Sequence, residues 1–492
     1  ITDMHPDPFY RPKTSEATAC HRKKGKKKKN RTGYYGTPYS DCDSPLRLTN
    51  FTLDFIDKKW ASEIDFVIWT GDNARHDNDR KLPRTPNEIY DLNRAVASKM
   101  TSVFTSRGIP VVPSLGNNDV WRSCGVENIM IPGPNSITNE FASIWQSFIP
   151  FPYLQTFQRG AYFAVEVVQG SLAVISLNTM YFYDSNKAVG GCEFKDPDDA
   201  GNLQFDWLEV QLKGFRARGM QVPVGHVPPS PGNYFPECYV RYVELALRFQ
   251  DTIVGHLYGH MNVDHFFFLE ANDLEVGDRQ TARKQKDDLF DTLIADFGAM
   301  PKAKNTNLDD YAVVNVAPAV VPNPYLTSFR IFSYNATGSP TSLGRNHGHK
   351  RGGGKDKEAL CKLDEYRDTW KCHLNDSWHS DPNSPSRSNR LWTPLGYTQV
   401  CVLAVKYYIP HLEEANKTHK PKFKLEYLTF ERDTVQGSNG PVPRKNLPSN
   451  LKGKQTPYEL EDLTVGTWVA LARRMAESKK LSSLFKKYMY MT

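Results

Sequence analysis

The sequence predicts an α/β fold, a four-layer αββα sandwich of two mixed sheets flanked by helices and followed by a C-terminal extension. Three observations carry that prediction. Apolar runs at residues 64–70, 109–115, 220–224 and 252–254 each lead into a short glycine motif, as buried strands do where they open into loops. Segments with helical spacing lie between those runs, so strand and helix alternate along the chain. Three further strand-like runs, at 264–269, 311–316 and 328–333, are long enough to complete a second sheet.

The elements follow in order. Within residues 48–61, Phe51, Leu53, Phe55, Ile56 and Trp60 are spaced for an amphipathic helix that packs on a sheet. Residues 86–107 read as a second helix, opened by Pro86 and stopped at Gly108. Residues 161–178 hold two apolar runs around Gln169-Gly170, which is a hairpin pattern. Helices over 203–218 and 240–249 precede the strands that lead to His226 and His260. The Gly, Lys and Asp-rich stretches at 270–288 and 338–357 read as excursions from the fold. A polar linker begins near Val435, and residues 463–475 form a last amphipathic helix. The domain reading is a first domain at 1–335 with a basic loop inserted at 20–31, a loop-rich part at 336–435 with added strands, and a linker with a helical segment at 436–492.

A chain of 492 residues, 39% hydrophobic, can bury a large core. It has no run of 18 or more apolar residues, so no membrane span is predicted within it. None of its eight cysteines stands at metal-binding spacing, which fits disulfides formed in an oxidising compartment. Cys20 with Cys42 and Cys361 with Cys372 are neighbours in sequence that can pair, while Cys401, inside the apolar run 400–405, reads equally well as a buried thiol. Asn30, Asn50, Asn335, Asn375 and Asn416 each open an Asn-x-Ser/Thr glycosylation sequon, and these five point the same way, to the secretory pathway.

The net charge of +7 is unevenly spread. Arg22, Lys23, Lys24, Lys26, Lys27, Lys28, Lys29 and Arg31 place eight positive charges in ten positions, and residues 347–357 hold a second cluster. Such a run is ordinarily a solvated loop. This one follows closely on the Asp3-Met4-His5 motif, where it would raise the local concentration of an anionic polymer, a nucleic acid as readily as any other.

Asp3-Met4-His5, Gly71-Asp72, Gly116-Asn117-Asn118-Asp119, Gly225-His226 and Gly259-His260-Met261-Asn262 supply oxygen and imidazole donors, which hard and borderline divalent cations take. One Gly-Asp or Gly-His step alone is turn chemistry. The whole set, in this order and after apolar runs, reads as a two-metal phosphoesterase centre fed from the C-terminal ends of several strands. His256 offers a competing register, rejected because residues 264–269 continue as a strand from Gly259-His260; it reads as a packed strand residue. His265, His347, His349, His373 and His379 have no motif context and read as surface or loop residues.

The order of these motifs resembles the calcineurin-like metallophosphoesterase superfamily, whose pattern is DxH, GD, GNH(D/E), GH and GHxH. Residues 3–10 and Gly71-Asp72-Asn73-Ala74-Arg75-His76 are similar to its acid sphingomyelinase-like branch, and residues 19–24, 33–45 and 113–120 resemble the fungal vacuolar endopolyphosphatases. The likeness extends to about Tyr408.

That resemblance implies two divalent ions, Mn, Mg, Co, Zn or Fe. Asp3 and His5 would hold the first, Asn117, His226 and His260 the second, and Asp72 would bridge them. Asn262 stands at the final histidine of GHxH; its carbonyl still coordinates, so the first pocket is expected to favour harder ions over zinc. Asn118 stands where most relatives carry a presumed general acid and would only hydrogen-bond the phosphate, His76 would donate to or orient it, and Asp119 would orient His76 or a ligand. The implied reaction is hydrolysis of internal phosphoanhydride bonds of inorganic polyphosphate by a hydroxide activated by two metals, with the basic loop binding the polymer. The alternatives are an acid sphingomyelinase-like phosphodiesterase or nucleotide pyrophosphohydrolase, and last a non-catalytic polyanion-binding protein. The resemblance implies no specific nucleic-acid partner and leaves a homo-oligomer open. It places the chain in the vacuole lumen, as part of a type II membrane protein whose anchor would precede Ile1.

Overall fold

The apolar runs before Gly71 and Gly116 form a parallel pair, β1 (Val67–Trp69) and β2 (Val111–Pro113), with Val67 opposite Val111. In this computed structural model the described residues are all except 24–30, 124–126, 129, 217–219, 278–287, 338–347, 350–354, 375–377, 403–414, 437–439, 449–450 and 492. Ile1, Thr2 and Asp3 run beside β1. The Thr70 amide donates to the Ile1 carbonyl at 3.0 Å and the Asp3 amide to the Gly71 carbonyl at 3.1 Å, while Val320 and Val321 donate to Thr2 and Asp3 from the other side.

The longer sheet consists of β3 (Phe163–Val168), β4 (Leu172–Ser176), β5 (Met220–Val224), β6 (His256–Tyr258), β7 (His265–Glu270) and β8 (Tyr311–Val316), in the spatial order β3-β4-β5-β6-β8-β7. Its middle pairs, β4-β5, β5-β6 and β6-β8, are parallel, and its outer pairs are antiparallel. A second, antiparallel sheet has the order β9 (Ser328–Tyr334), β10 (Pro394–Val402), β11 (Phe423–Leu428). Two of the three runs expected to complete a second sheet, at 264–269 and 311–316, instead extend the histidine-bearing sheet, and only 328–333 goes to the other. Strand propensity marks these runs as strands but does not encode which edge they join. The expected boundary at 335 falls inside the second sheet, since β9 precedes it and β10 and β11 follow.

Helices α1 (Leu46–Lys59), α2 (Pro86–Val103), α3 (Ser136–Ile144), α4 (Ala200–Arg216) and α5 (Pro236–Arg248) alternate with the strands. The Thr85 side chain accepts from the Glu88 amide and caps α2, whose end passes through a 3₁₀ turn into left-handed Gly108 (φ 77°). The expected excursion at 270–288 is followed by a helix the sequence reading omitted, α6 (Leu289–Ala299). The last helix is followed by another: α7 (Val465–Glu477) and α8 (Lys479–Met489) pack with α6, β7 and β8 into a separate apolar cluster around Phe266, Phe297 and Trp468. Among the described residues no helix is long and apolar enough to cross a membrane.

Disulfides join Cys20 to Cys42, Cys361 to Cys372 and Cys192 to Cys238. The third pair, 46 residues apart, was not read from the sequence. The first sits beside an ionic clamp. His21, buried, lies with Nδ1 2.8 Å from Asp79 and Nε2 2.7 Å from Asp7, and Arg22 also pairs with Asp79. Burial opposes charge on His21, but hydrogen bonds and attraction to Asp7 and Asp79 outweigh it and raise its pKa above 6.5. Charged His21 thereby ties the segment after His5 to the loop after His76. A group with a raised folded pKa stabilises fully below its unfolded pKa and loses that contribution as pH rises through the folded value. Thermal melts should therefore show His21→Gln destabilised by about 1.5 to 3 kcal/mol below pH 6.5, with the gap from the parent narrowing steadily above it; a gap independent of pH would show that His21 acts uncharged.

Candidate metal centre

Two loops meet closely enough to exclude any side chain between them. A Cβ on Gly116 would lie 2.1 Å from Asp72 Oδ1, and Gly71, at φ 85°, passes so near that its Cβ would lie 2.5 Å from the Gly116 amide. Glycine at both positions lets the end of β1 and the end of β2 touch. Asp119 then ties them. Its buried carboxylate accepts from the amides of Asp72 (2.9 Å), Asn73 (2.8 Å) and Gly116 (3.0 Å) and from Asn93 Nδ2 (3.0 Å). Burial and the neighbouring Asp72 charge push its pKa up against those donors.

Asp72 stands at the centre. Its Oδ1 accepts from the Asn118 amide and its Oδ2 from Asn118 Nδ2, both at 2.8 Å, and Oδ2 lies 3.4 Å from His5 Nε2 and 3.2 Å from His226 Nε2. His5 and His226 each direct Nδ1 at a backbone carbonyl, of Ala74 at 2.9 Å and Thr70 at 2.7 Å. Donation there leaves Nε2 of both rings facing the carboxylates, the tautomer a metal ligand needs. On the far side, Asn117 Oδ1 lies 2.9 Å from His226 Nε2 and 2.8 Å from His260 Nδ1. On the near side, Asp3 Oδ2 accepts from the Thr2 hydroxyl and from the His260 amide at 3.0 Å.

Asp3, His5 and Asp72 form one cluster able to hold a metal ion and Asp72, His226 and His260 a second, the ligand atoms of each lying within 4.8 Å of one another. Asp3 Oδ1, His5 Nε2 and Asn262 Oδ1 are buried without a hydrogen-bond partner. Buried acceptors left this way cost about 1 to 3 kcal/mol each, and a divalent cation is the ligand that would satisfy oxygen and imidazole donors together. The electrostatics agree. Burial alone would lower His5 and His226, yet Asp72 and Asp3 raise both to about 9, so the pocket favours positive charge. Desolvation and the neighbouring His226 push the half-buried His260 down to about 4. Asp3, His5, Asp72, His260 and Asn262 all adopt left-handed backbone, with φ of 50, 37, 58, 71 and 55°, strain of about 1 to 3 kcal/mol each that surrounding contacts hold in place.

Residues 1–264 match the calcineurin-like phosphoesterase family. The chain belongs to that family. Curated relatives extend the likeness over nearly its whole length. An endopolyphosphatase of Cryptococcus neoformans is 37% identical, over 99% of this chain and 90% of the relative. One of Neurospora crassa is 38% identical over 98% and 77%, and one of Saccharomyces cerevisiae 30% identical over 97% and 82%.

Asn262 donates Nδ2 to the Asn323 carbonyl at 2.9 Å, leaving its Oδ1 as the buried acceptor. Asn118 directs one N–H of its side-chain amide at Asp72 and so holds that carboxylate. Asp119 contacts the ligand loops and not His76. The partner of His76 is Asp43, through Nδ1 at 2.7 Å. His256 and His265 are both buried in strands: His256 meets the Tyr242 hydroxyl at 2.7 Å, and His265 lies 2.9 Å from the Val263 carbonyl, which corrects the surface reading of His265. Of the basic run, Arg22 is paired with Asp79, Lys23 is exposed and Arg31 forms a bridge with Ser15. Lys24, Lys26, Lys27, Lys28 and Lys29 lie outside the described residues, as do Asn30 and Asn375 of the sequons.

Sequence reasoning missed Asp43 and the Asp7, His21 and Asp79 clamp. Neither shows ligand spacing: Asp43 and His76 are 33 residues apart, and Asp79 and His21 58. Asp119→Ala would leave three backbone donors buried without an acceptor. It should lower stability by about 3 kcal/mol or more and strip metal on dialysis, read by thermal melting and by elemental analysis. Retention of both the melting point and the metal would show that the loops hold without the carboxylate.

Proposed function

We propose that this phosphoesterase hydrolyses phosphoanhydride bonds within inorganic polyphosphate, giving shorter chains. The observation that carries the reading is the engagement of Asn118 with Asp72. An amide cannot supply a proton, and this one holds a ligand, so the position offers no general acid. An alcohol leaving group needs one. A polyphosphate leaving group departs as a phosphate end whose second pKa is about 6 and needs little. Similarity over nearly the whole of this chain to proteins named endopolyphosphatases supports the same substrate.

Asp3, His5, Asp72, Asn117, His226, His260 and Asn262 would hold two divalent ions. Bound there, such ions neutralise phosphoryl oxygens and make water a nucleophile at neutral pH. The protein's own contribution is positional. Asn118 fixes Asp72, and Asp119 fixes the loops from which Asp72, Asn117 and Asn118 project. His76, with its side chain 24% exposed where His5 and His226 are buried, presents a ring to the phosphate. The basic run that follows the Asp3 and His5 motif in sequence would raise the local concentration of an anionic polymer.

The compartment we infer is an oxidising lumen, the vacuole, reached by the secretory pathway. Three disulfides support it, and of the described sequons Asn416 is exposed, while Asn335 and the helical Asn50 are half-buried.

Metal-loaded protein incubated with long-chain polyphosphate should give intermediate chain lengths on a gel. Orthophosphate as sole product would replace the reading with an end-acting enzyme, and cleavage of a nucleotide or sphingomyelin in preference to polyphosphate would replace it with the phosphodiesterase reading. Metal identity has its own test. The Asp3 and His5 cluster, with an asparagine in place of an imidazole, should prefer a harder ion than zinc. Asn262→His should shift uptake from an equimolar mixture of zinc and manganese toward zinc by severalfold, measured by elemental analysis; an unchanged ratio would remove Asn262 from the ligand set.

A further inference from the structure

We propose that Asp43 is the positioning residue for His76, holding the imidazole in a single orientation and tautomer so that Nε2 faces the phosphate. The role rests on the hydrolytic reading above and adds to it a residue that no metal-ligand motif includes.

Asp43 is buried, its side chain 4% exposed, and both of its oxygens accept from the same residue. Oδ1 lies 2.7 Å from His76 Nδ1 and Oδ2 lies 2.5 Å from the His76 backbone amide. A carboxylate that grips backbone and ring together fixes both side-chain torsions of the histidine. It also fixes the tautomer: Nδ1 must carry the proton to donate, which leaves Nε2 as the nitrogen available outside the pair. One face of the ring is covered as well. His76 stacks on His5, with centroids 4.0 Å apart and planes 21° from parallel. With Nδ1 on a buried carboxylate and one face on a metal-ligand ring, Nε2 is the ring nitrogen left for a ligand.

The carboxylate is itself anchored at both ends. Cys42, the preceding residue, is joined to Cys20. The following residue, Ser44, donates its amide to the His5 carbonyl at 3.4 Å and accepts from the Asp7 amide at 2.7 Å. The Asp43 segment is therefore bonded to the His5 segment, and it carries His76 in fixed register with the metal site. A structural carboxylate of equal burial could have been satisfied by any nearby amides. This one is directed at His76, a partly exposed histidine stacked on the His5 ring, which is the arrangement of an orienting carboxylate behind a substrate-facing imidazole.

Asp43, His5 and His76 also lie close enough together to hold an ion of their own, so the test separates the two roles. Asp43→Asn, His76→Ala and the double variant are compared as metal-loaded proteins, with histidine-selective ¹⁵N spectra recorded on a magnesium-loaded sample. Asp43→Asn should lower kcat for polyphosphate at least about tenfold, with KM within about twofold and metal content unchanged. The double variant should be no slower than His76→Ala alone. The wild-type spectrum should show His76 protonated at Nδ1, and Asp43→Asn should lose that signal. Unchanged kcat in Asp43→Asn, losses that multiply in the double variant, a fall in metal content, or a wild-type His76 protonated at Nε2 but not at Nδ1 would each overturn the role. The wild-type spectrum decides even where Asp43→Asn fails to fold. It also decides independently of substrate, so a phosphoesterase inactive on polyphosphate would overturn the functional reading and leave this one open to its own result.

Discussion

Burying the carboxylates of Asp3, Asp72 and Asp119 within one pocket is the constraint on which the rest of this structure depends. All three are inaccessible, and like charges a few ångströms apart in a medium of low dielectric repel strongly. The fold answers that repulsion in two ways. Backbone amides converge on Asp119 from both ligand loops, and imidazoles converge on Asp3 and Asp72. The first answer is internal and complete. The second leaves acceptors without partners, which is why the pocket calls for cations and why removal of any one carboxylate would alter the charge of the whole.

Geometry follows from that electrostatic demand. Donors from distant parts of the chain must reach one point, so strands end abruptly, and the segments that carry Asp3, His5, Asp72, His260 and Asn262 turn through left-handed backbone. The turns are strained and hold only because neighbouring loops are bonded to one another. Gly225 donates to the Leu257 carbonyl and Gly259 to the His226 carbonyl, so the two histidine loops brace each other. The C-terminal helices brace from further out. Trp468 packs on Phe266 of β7 with centroids 4.4 Å apart, and the Met491 carbonyl accepts from the Tyr39 hydroxyl at 2.7 Å, four residues before Asp43. The end of the chain thus supports the same edge of the site that its beginning builds.

What the sequence could reveal divides along the same lines. The strands before Gly71, Gly116 and Gly225 were legible because an apolar run and the glycine that follows it are contiguous, whereas the strand before Gly259 is His256–Tyr258 and not the run read at 252–254. Helices α1, α2, α4 and α5 were legible because their apolar spacing is local. Sheet membership was not, since β7 and β8 join β6 through pairings that depend on tertiary packing. The partners of ligands were not legible either. Asp119 was visible as a motif residue, but its contacts to Asp72, Asn73 and Asn93 exist only once two loops meet. Asp43 lay inside a recognisable block without a spacing that linked it to His76, and His265 read as a loop residue because burial is invisible in a lone histidine.

The two asparagines that depart from the family pattern act in one direction. Asn262 leaves the near cluster with a single imidazole, His5, among the oxygens of Asp3, Asp72 and Asn262, while the far cluster keeps His226 and His260 beside Asn117. On the proposed ligand sets the two pockets that share Asp72 would be unequal, one rich in oxygen and one rich in nitrogen, and such pockets would favour different ions. Asn118 removes a proton donor and in exchange immobilises the carboxylate between them. On the proposed reading both changes suit one substrate. A chain that carries charge on every phosphate and leaves as a phosphate end gains most from dense, fixed positive charge and least from protonation, and this site has given up the second while stiffening the groups that secure the first.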